Sequence, residues 1–397
     1  MKKIAIVIIA YNREKSLNRL LNSIIKANYH NDEVDLIISI DFNENELVYK
    51  IADEYIWNYG DKKVIKHDKN LGLRQHVLSC GNFALEYESI IVLEDDIFVS
   101  SGFYNFSKKA IEYYKNDIRV AGISLYSPNY NENCRRPFIP IKDFGDTYFI
   151  QYPSSWGQIW TTNQWKEFKK WYDKKENKYI KNCNNIPKNV LSWPESSWKK
   201  YFIKYMVDQD KYFVYPYNSL STNFGDEGTH FRSETSTFQV AISNLNETLN
   251  YEFINLDECK SRYDVYLENL NLKNEFSKKF NRNVIIDLYG TKDYKIDGYL
   301  LSCNNYDYKV LEQYDMKLRP HEMNIYSNID GGYFKLYDVN IYEKNKKINK
   351  KINKKYQTIV YDLYSLNKIS IALSFIKGRF IIYMKYIYNK SMKNRNK

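Results

Sequence analysis

Cysteine is scarce. The 397 residues hold five (Cys80, Cys134, Cys183, Cys259, Cys303), odd in number, widely spaced and never as CxxC. That pattern argues against a disulfide scaffold or a zinc ribbon and fits a reducing compartment. Histidine is equally sparse, at five, which disfavours a His-rich metal site. No apolar run reaches the ~18 residues of a membrane-spanning helix, so a polytopic membrane protein is excluded. Neither GxxxxGK[ST] nor GxGxxG occurs; Asn70-Leu71-Gly72 and the Gly225/Gly228 pair are not phosphate-loop fingerprints, which disfavours an ATPase or a dehydrogenase. What remains is ordinary globular material, 44% hydrophobic and 27% charged. It is long enough for two to three domains at roughly 150 residues each. The 39 tyrosines read as a compositional bias shared with the many Lys, Asn and Ile residues.

Charge is unevenly spread. From Lys344 onward there are 15 Lys or Arg against one acid, Asp362. With a net charge of +11 for the whole chain, residues 1–343 are left close to neutral. A nucleic-acid enzyme usually carries its basic patch on the folded domain beside the site. A basic tail alone fits an anionic membrane surface better, and no nucleic-acid partner is expected.

Periodicity gives the organisation. Ile4 to Ala10 is a short apolar run after two lysines. Tyr11-Asn12-Arg13-Glu14 follows without a small-residue cleavage pattern, so a buried parallel strand is preferred to a signal peptide. Leu17, Leu20, Leu21, Ile24 and Ile25 recur at helical spacing. Strands are expected at Val34 to Ile40, at Val64-Ile65 and from Ser89 to Leu93, with helices over 44–57 and 71–86 between them. Strands alternating with helices imply a mostly parallel sheet, and ligands bind such sheets at the carboxyl ends of the strands. Asp41 and Glu94-Asp95-Asp96 both fall at such ends. Six of the seven tryptophans lie from Trp156 to Trp198. Residues 240–285 look helical and polar, and 285–340 read as a small accessory region of short Tyr/Ile-rich runs. The expected division is a domain over 1–240, an accessory region over 241–343 and a basic, amphipathic tail over 344–397.

The strongest local motif is Ile90-Ile91-Val92-Leu93-Glu94-Asp95-Asp96-Ile97. Three adjacent carboxylates repel one another and call for a compensating cation. A divalent metal held by one or two carboxylates plus substrate phosphates is the usual arrangement; an acidic corner facing water is the alternative. Ala10-Tyr11-Asn12-Arg13 and Asp41 share the same rim. There a carboxylate could accept from a base or ribose hydroxyl and Arg13 could meet a base or phosphate, or each could be a helix cap or surface ion pair.

Ile9 to Arg13, Ser39-Ile40-Asp41, Asn70-Leu71-Gly72-Leu73-Arg74 and Leu93 to Asp96 together resemble nucleotide-sugar glycosyltransferases of the GT-A fold. The closer similarity is to bacterial family 2-like enzymes and the N-acetylglucosaminyltransferase I group. The resemblance runs on through Val120 to Ser124, Ser155-Trp156-Gly157, Tyr215-Pro216 and Gly225 to His230, covering about residues 1–235. It implies an α/β, Rossmann-like GT-A sheet flanked by helices. It implies Mn2+ (or Mg2+) on Asp96; His230 could be a further metal ligand or sit on the diphosphate, a merely structural histidine being the alternative. Asp95 and Glu94 would contact ribose and donor sugar. Arg13 and Asp41 would contact the uracil side, Tyr11 would be a further donor-binding residue, and Arg74 would lie near the donor phosphates or sugar, where a helix N-terminus also favours anions. Trp156 and Gly157 would wall the donor sugar and acceptor, with plain core packing the alternative for Trp156.

One departure matters. Similar enzymes often carry a Trp-Asp pair about 18 residues before the Tyr-Pro element, and that Asp is the catalytic base. Here the pair is Trp198-Lys199, and a lysine of ordinary pKa cannot take a proton at neutral pH. Glu195, Asp226 and Glu227 are the carboxylates available instead, each also readable as a helix-start or loop acid. The resulting expectation is an inverting, metal-dependent glycosyltransferase. It would use a UDP-linked sugar, possibly an N-acetylhexosamine, and a saccharide or lipid-linked saccharide acceptor of a bacterial surface polysaccharide, capsule or lipooligosaccharide. The enzyme is expected in the cytoplasm, peripheral at the inner face of the membrane. The rivals are a sugar nucleotidyltransferase, disfavoured because no basic Gly-rich loop follows the first strand, and a non-catalytic sugar-binding relative, kept open by Lys199.

Overall fold

The computed structural model describes residues 2–174, 180, 183, 185–226, 235–243, 250–292, 297–344, 350–363, 369–370, 372–373 and 375–379. The chain forms two compact units, Met1–Asn345 and Lys346–Lys397. The first opens with β1 (Lys2–Ala10), α1 (Glu14–Ile24), β2 (Val34–Ile40), α2 (Glu46–Glu54), β3 (Lys62–Lys66), α3 (Leu73–Gly81), β4 (Tyr87–Glu94), β5 (Ile97–Val99), α4 (Phe103–Tyr114) and β6 (Val120–Ser124). It continues through β7 (Tyr130–Asn131), β8 (Arg136–Pro137), β9 (Thr147–Ile150), β10 (Gln158–Thr161), α5 (Thr162–Tyr172), α6 (Lys188–Leu191), α7 (Trp198–Asp208), β11 (Tyr212–Pro216), β12 (Ser221–Asn223) and β13 (Arg262–Tyr263). Then come α8 (Leu270–Phe280), β14 (Val284–Asp287), β15 (Tyr299–Ser302), β16 (Tyr308–Tyr314), α9 (His321–Tyr326) and β17 (Phe334–Tyr342). The second unit contributes α10 (Lys350–Asp362).

Nine strands form one mostly parallel sheet in the order β13-β9-β11-β6-β10-β4-β1-β2-β3. β1 pairs in parallel with β2 and β4, and β2 in parallel with β3. Every residue of β1 from Ile4 to Ala10 and of β2 is buried, which requires cover on both sheet faces and explains the unbroken apolar runs. In α1, Leu17, Leu20, Leu21 and Ile24 face the core as their spacing predicts, but Ile25 caps the helix and is exposed. The helix expected over 71–86 divides into α3 and a 3-10 turn, Asn82–Leu85.

β10 breaks the parallel pattern. It inserts antiparallel between β4 and β6, so its beginning lies beside the end of β4. A capping box then starts α5: the Thr161 hydroxyl accepts from Gln164 N while the Gln164 side chain accepts from Thr161 N. Most of the clustered tryptophans weld the adjoining helices. Trp160 packs on Trp165, Trp198 and Phe202 at ring-centroid distances of 4.8, 5.7 and 5.7 Å. Trp165 lies so close to α3 that any Cβ at Gly81 would overlap its ring.

Residues beyond 240 return to the large sheet, because β13 pairs with β9 at its edge. The helical expectation for 240–285 is corrected there. Among the described residues only α8 is helical, and 250–269 run irregularly around β13. That stretch is instead pinned by backbone contacts such as Asp146 N to Glu252 O (2.7 Å) and Phe149 N to Ser261 O (3.1 Å). β14, β15, β17 and β16 form a separate four-stranded sheet, parallel only between β14 and β15.

Beside this smaller sheet, burial pushes the Glu322 carboxyl up to about 7. The folded chain keeps a proton that the unfolded chain releases near 4.5. The group's contribution to stability is therefore full below that value and is lost as pH rises through about 7. Glu322→Gln should gain on the wild type between about pH 5 and about pH 8, by on the order of 2 kcal/mol. Urea unfolding of both proteins across that range measures the difference, and parallel stability curves would contradict a buried, protonated Glu322.

Candidate active site

Because β1, β2 and β4 run in parallel, their carboxyl ends meet on one rim. The ladder continues one step past them: Asp41 N donates to Ala10 O and Asp95 N to Ile9 O, both at 3.0 Å. Asp41 and Asp95 are thereby set on either side of the turn after β1. Glu94 ends β4, and Asp95-Asp96 form the turn into β5. The buried Asp95 carboxylate accepts from Tyr11 N (3.4 Å) and from the Arg13 guanidinium. Arg13 Nη1 also donates to Asp96 Oδ2 at 3.1 Å.

The cation that three adjacent acids demand is thus partly supplied from within the chain. Burial, together with the other acids, pushes Glu94 and Asp95 above the ordinary carboxylate range, and Arg13 pulls both back. Asp96 Oδ1 is buried with no hydrogen-bond partner. An orphaned carboxylate oxygen in an acid-rich turn suits a hard divalent cation. Among the described residues no three His, Cys, Asp or Glu side chains converge as a ready-made cage, so such an ion would complete its shell with substrate oxygens or water.

Three expected donor contacts are differently engaged. Arg13, expected on the base or phosphate, lies on Asp95 and Asp96, because a buried and a partly buried carboxylate attract it more than open solvent does. Asp41, expected on the uracil, is buried and accepts from Leu71 N (2.8 Å) and Gly72 N (3.1 Å), so it shapes the turn into α3. Arg74 reaches α7: its Nη1 donates to the Tyr201 hydroxyl at 2.7 Å and its guanidinium lies 5.0 Å from that ring. Tyr11 lies at the rim, partly exposed. Sequence reasoning missed Asn43, whose Nδ2 donates to Tyr11 O and Asp41 O at 2.6 and 2.9 Å and so ties the two turns together.

Trp156 and Gly157 lead into β10 and therefore stand next to the end of β4. Gly157 has φ +93°, and a Cβ there would come within 3.1 Å of Leu125. Its bare backbone lets Leu125 N reach Gly157 O at 3.0 Å, while Ser221 Oγ holds Trp156 O at 2.6 Å. Trp156 is half-buried, with its ring 4.7 Å from Tyr126 and 4.8 Å from Phe238. With Glu132, Tyr152 and Lys199 these rings line a hollow.

Lys199 falls in this hollow, at the start of α7. Its Nζ is 3.7 Å from Glu132 Oε1 and lies 4.4 Å from the Tyr152 ring and 5.3 Å from that of Trp156. Burial pulls its pKa down, with Glu132 and Glu94 opposing. Glu132 carries no motif and lies in the turn that joins β7 to β8, so nothing in the sequence marks it.

The candidate bases are dispersed. The Glu195 side chain is 67% exposed and bonds Lys200 Nζ (3.2 Å) and the Tyr201 hydroxyl, whose donation holds it below the ordinary carboxylate range. Asp226 is taken by Ser16 Oγ (2.7 Å) and the Arg19 guanidinium. Its burial is outweighed by Arg19, so it too lies below the ordinary range. Glu227 and His230 lie outside the described residues.

Residues 5–188 match the family model described as Glycosyl transferase family 2. No curated protein matches the chain. Among solved structures, S. aureus TarS 1-349 in complex with UDP-GlcNAc is similar at 16% identity over 57% of this chain and 60% of that one, with a TM-score of 0.39. GalNAc-T7 with UDP, GalNAc and Mn2+ is similar at 15% identity over 54% and 42%, with a TM-score of 0.37. The mannosyltransferase PcManGT from Pyrobaculum calidifontis, in complex with GDP-Man and Mn2+, is similar at 10% over 40% and 44%, with a TM-score of 0.29. The chain spans about three fifths or less of the length of each of these. With the parallel sheet, its flanking helices and the acidic turn at the end of β4, the match identifies residues 5–188 as a family 2-like glycosyltransferase domain of the GT-A fold.

Proposed function

We propose that the protein is a metal-dependent, inverting glycosyltransferase that moves a sugar from a nucleoside diphosphate carrier to a saccharide hydroxyl. The observation that carries this reading is the buried, unpartnered Asp96 oxygen in an acidic turn beside the Trp156 hollow. In this reading Asp96 holds Mn2+ or Mg2+, and the ion supplies Lewis-acid neutralisation of the leaving diphosphate. Arg13 adds positive charge at the same turn. Glu94 and Asp95 contact the donor's ribose and sugar, and Trp156 with Gly157 walls the donor sugar and acceptor. UDP is the preferred nucleotide and a 2-acetamido sugar the preferred donor. The test is a melting-temperature screen of UDP-, GDP- and dTDP-linked sugars with and without Mn2+, followed by nucleotide release in the presence of saccharide acceptors. A Mn2+-dependent shift with acceptor-dependent UDP release is the expected result. A protein that binds sugar nucleotides yet never releases nucleotide would instead be a non-catalytic relative.

The acceptor in this reading is a lipid-linked saccharide of bacterial surface polysaccharide, capsule or lipooligosaccharide synthesis. The enzyme then works in the cytoplasm at the inner face of the membrane, held there by its basic tail. Support comes from the charge of that tail and from Leu373, Phe375 and Ile376, which are exposed in a helical stretch. Among the described residues no helix is long and apolar enough to cross a membrane. Apolar groups would insert at headgroup depth while lysines reach anionic lipid, each basic residue contributing about 1 kcal/mol. Much of the 369–388 segment lies outside the described residues. Deleting residues 344–397 should release the protein from phosphatidylglycerol vesicles in sedimentation while leaving transfer to a soluble acceptor nearly unchanged. Equal vesicle binding by both proteins would remove the anchor role.

A further inference from the structure

Resting on the transferase reading above, we infer that Glu132 is the general base that takes the acceptor proton, with Lys199 as its fixed counter-charge. Lys199, which acts electrostatically on Glu94, lines the hollow beside Trp156. A base must lie within hydrogen-bond reach of the attacking hydroxyl, so it must share a wall with the sugar platform, Trp156. Of the described carboxylates that line this hollow, Glu132 is the one available. Glu195 and Asp226 line other surfaces, and each is engaged by cationic and hydroxyl neighbours.

Glu132 is also lightly committed. Its side chain is 25% exposed, and its contacts are the Lys199 ammonium at 3.7 Å and the Tyr152 hydroxyl at 3.4 Å, both on Oε1. An ionised carboxylate offers about four lone-pair sites, so room remains for an incoming hydroxyl on the side open to solvent. Lys199 is held by ring faces from Tyr152, Trp156 and Trp193 and acts electrostatically on Glu94 as well as Glu132. It therefore stands between an acid at the donor turn and an acid at the acceptor hollow. Where similar enzymes carry the basic Asp, this chain carries a cation and recruits its carboxylate from the β7–β8 segment.

The step balances. The acceptor oxygen forms a bond to the anomeric carbon as the bond from that carbon to the β-phosphate oxygen breaks. The electron pair of the broken bond leaves on the nucleoside diphosphate, and the acceptor proton passes to a Glu132 carboxylate oxygen.

The test compares wild type, Glu132→Gln, Glu132→Ala and Glu195→Gln for release of nucleotide from the donor identified by the screen above, with and without saccharide acceptor. Binding of UDP with Mn2+ is measured by calorimetry on the same proteins. Glu132→Gln should lower kcat by ~10²–10⁴-fold, leave the UDP Kd within about threefold and keep the wild-type melting temperature within a few degrees. Added formate should restore part of the activity of Glu132→Ala, a rescue that a merely structural role would not give. Near-wild-type kcat in Glu132→Gln, or loss of kcat in Glu195→Gln alone, would overturn the assignment while leaving the transferase reading intact. A wild type that releases no nucleotide from any sugar nucleotide would instead overturn the transferase reading, and the base with it.

Discussion

On the proposed function, Asp96→Ala is expected to abolish transfer and to erase the Mn2+-dependent rise in melting temperature expected of the wild-type protein with UDP. The reason is local. Asp96 Oδ1 is buried without a partner, and leaving a buried carboxylate oxygen unpaired costs free energy unless something else binds there. Its other oxygen holds Arg13, so the substitution removes the proposed metal ligand and half of the guanidinium's anchorage at once. The activity loss should be at least ~10²–10³-fold, the scale for removing one preorganised electrostatic contact from a reacting centre. A ligand that binds only the folded state stabilises it by mass action, so losing the proposed ion should remove the UDP shift as well. Arg13 keeps its partner Asp95, and the apo protein should therefore unfold close to the wild-type temperature. An Asp96→Ala enzyme with wild-type activity and an undiminished Mn2+-dependent UDP shift would show that the ion is held elsewhere.

The second large effect is on stability. Trp160 is fully buried at the junction of β10 with α5 and α7, against Trp165, Trp198 and Phe202. Trp160→Ala should destabilise the protein by about 3–5 kcal/mol, because the surrounding rings cannot collapse into so large a void. That is a large fraction of the ~5–15 kcal/mol by which folded domains are stable. Trp160 Nε1 has no hydrogen-bond partner, so Trp160→Phe forfeits volume but no bond and should cost only roughly 1–2 kcal/mol. Urea unfolding followed by circular dichroism distinguishes the two substitutions. Equal losses would mean that the indole N–H, not the ring volume, is what the site needs. Because α7 carries Lys199 on the same turn as Trp198, the alanine variant should also loosen the hollow beside Glu94.

The alternating strands and helices of the first hundred residues were legible because burial on both sheet faces writes itself as unbroken apolar runs. β2 has the expected limits, and β1 and β4 extend theirs by a residue or two. The acidic turn was legible for a related reason: a strand that must stay apolar inside can place charge only at its end. Harder to read were short elements held by distant partners. β13 has two residues and exists because β9 offers it an edge, so 250–269 carried a polar pattern that resembled a helix. Motifs also could not say how each carboxylate is spent. Asp41, Asp226 and Glu195 look equivalent in sequence, yet backbone amides, an arginine and a tyrosine respectively claim them.

The sequence alone determined the sheet's parallel core, the position of its functional rim and the identity of the acids on it, because these follow from local periodicity and from where a buried strand can end. Tertiary structure decided which charges face one another. Arg13 closes on Asp95 and Asp96 across more than eighty residues of chain, and Lys199 meets Glu132 from a separate segment. Such pairings depend on how crossovers and the antiparallel β10 bring remote segments together, and the strength of an ion pair depends on burial that only packing sets.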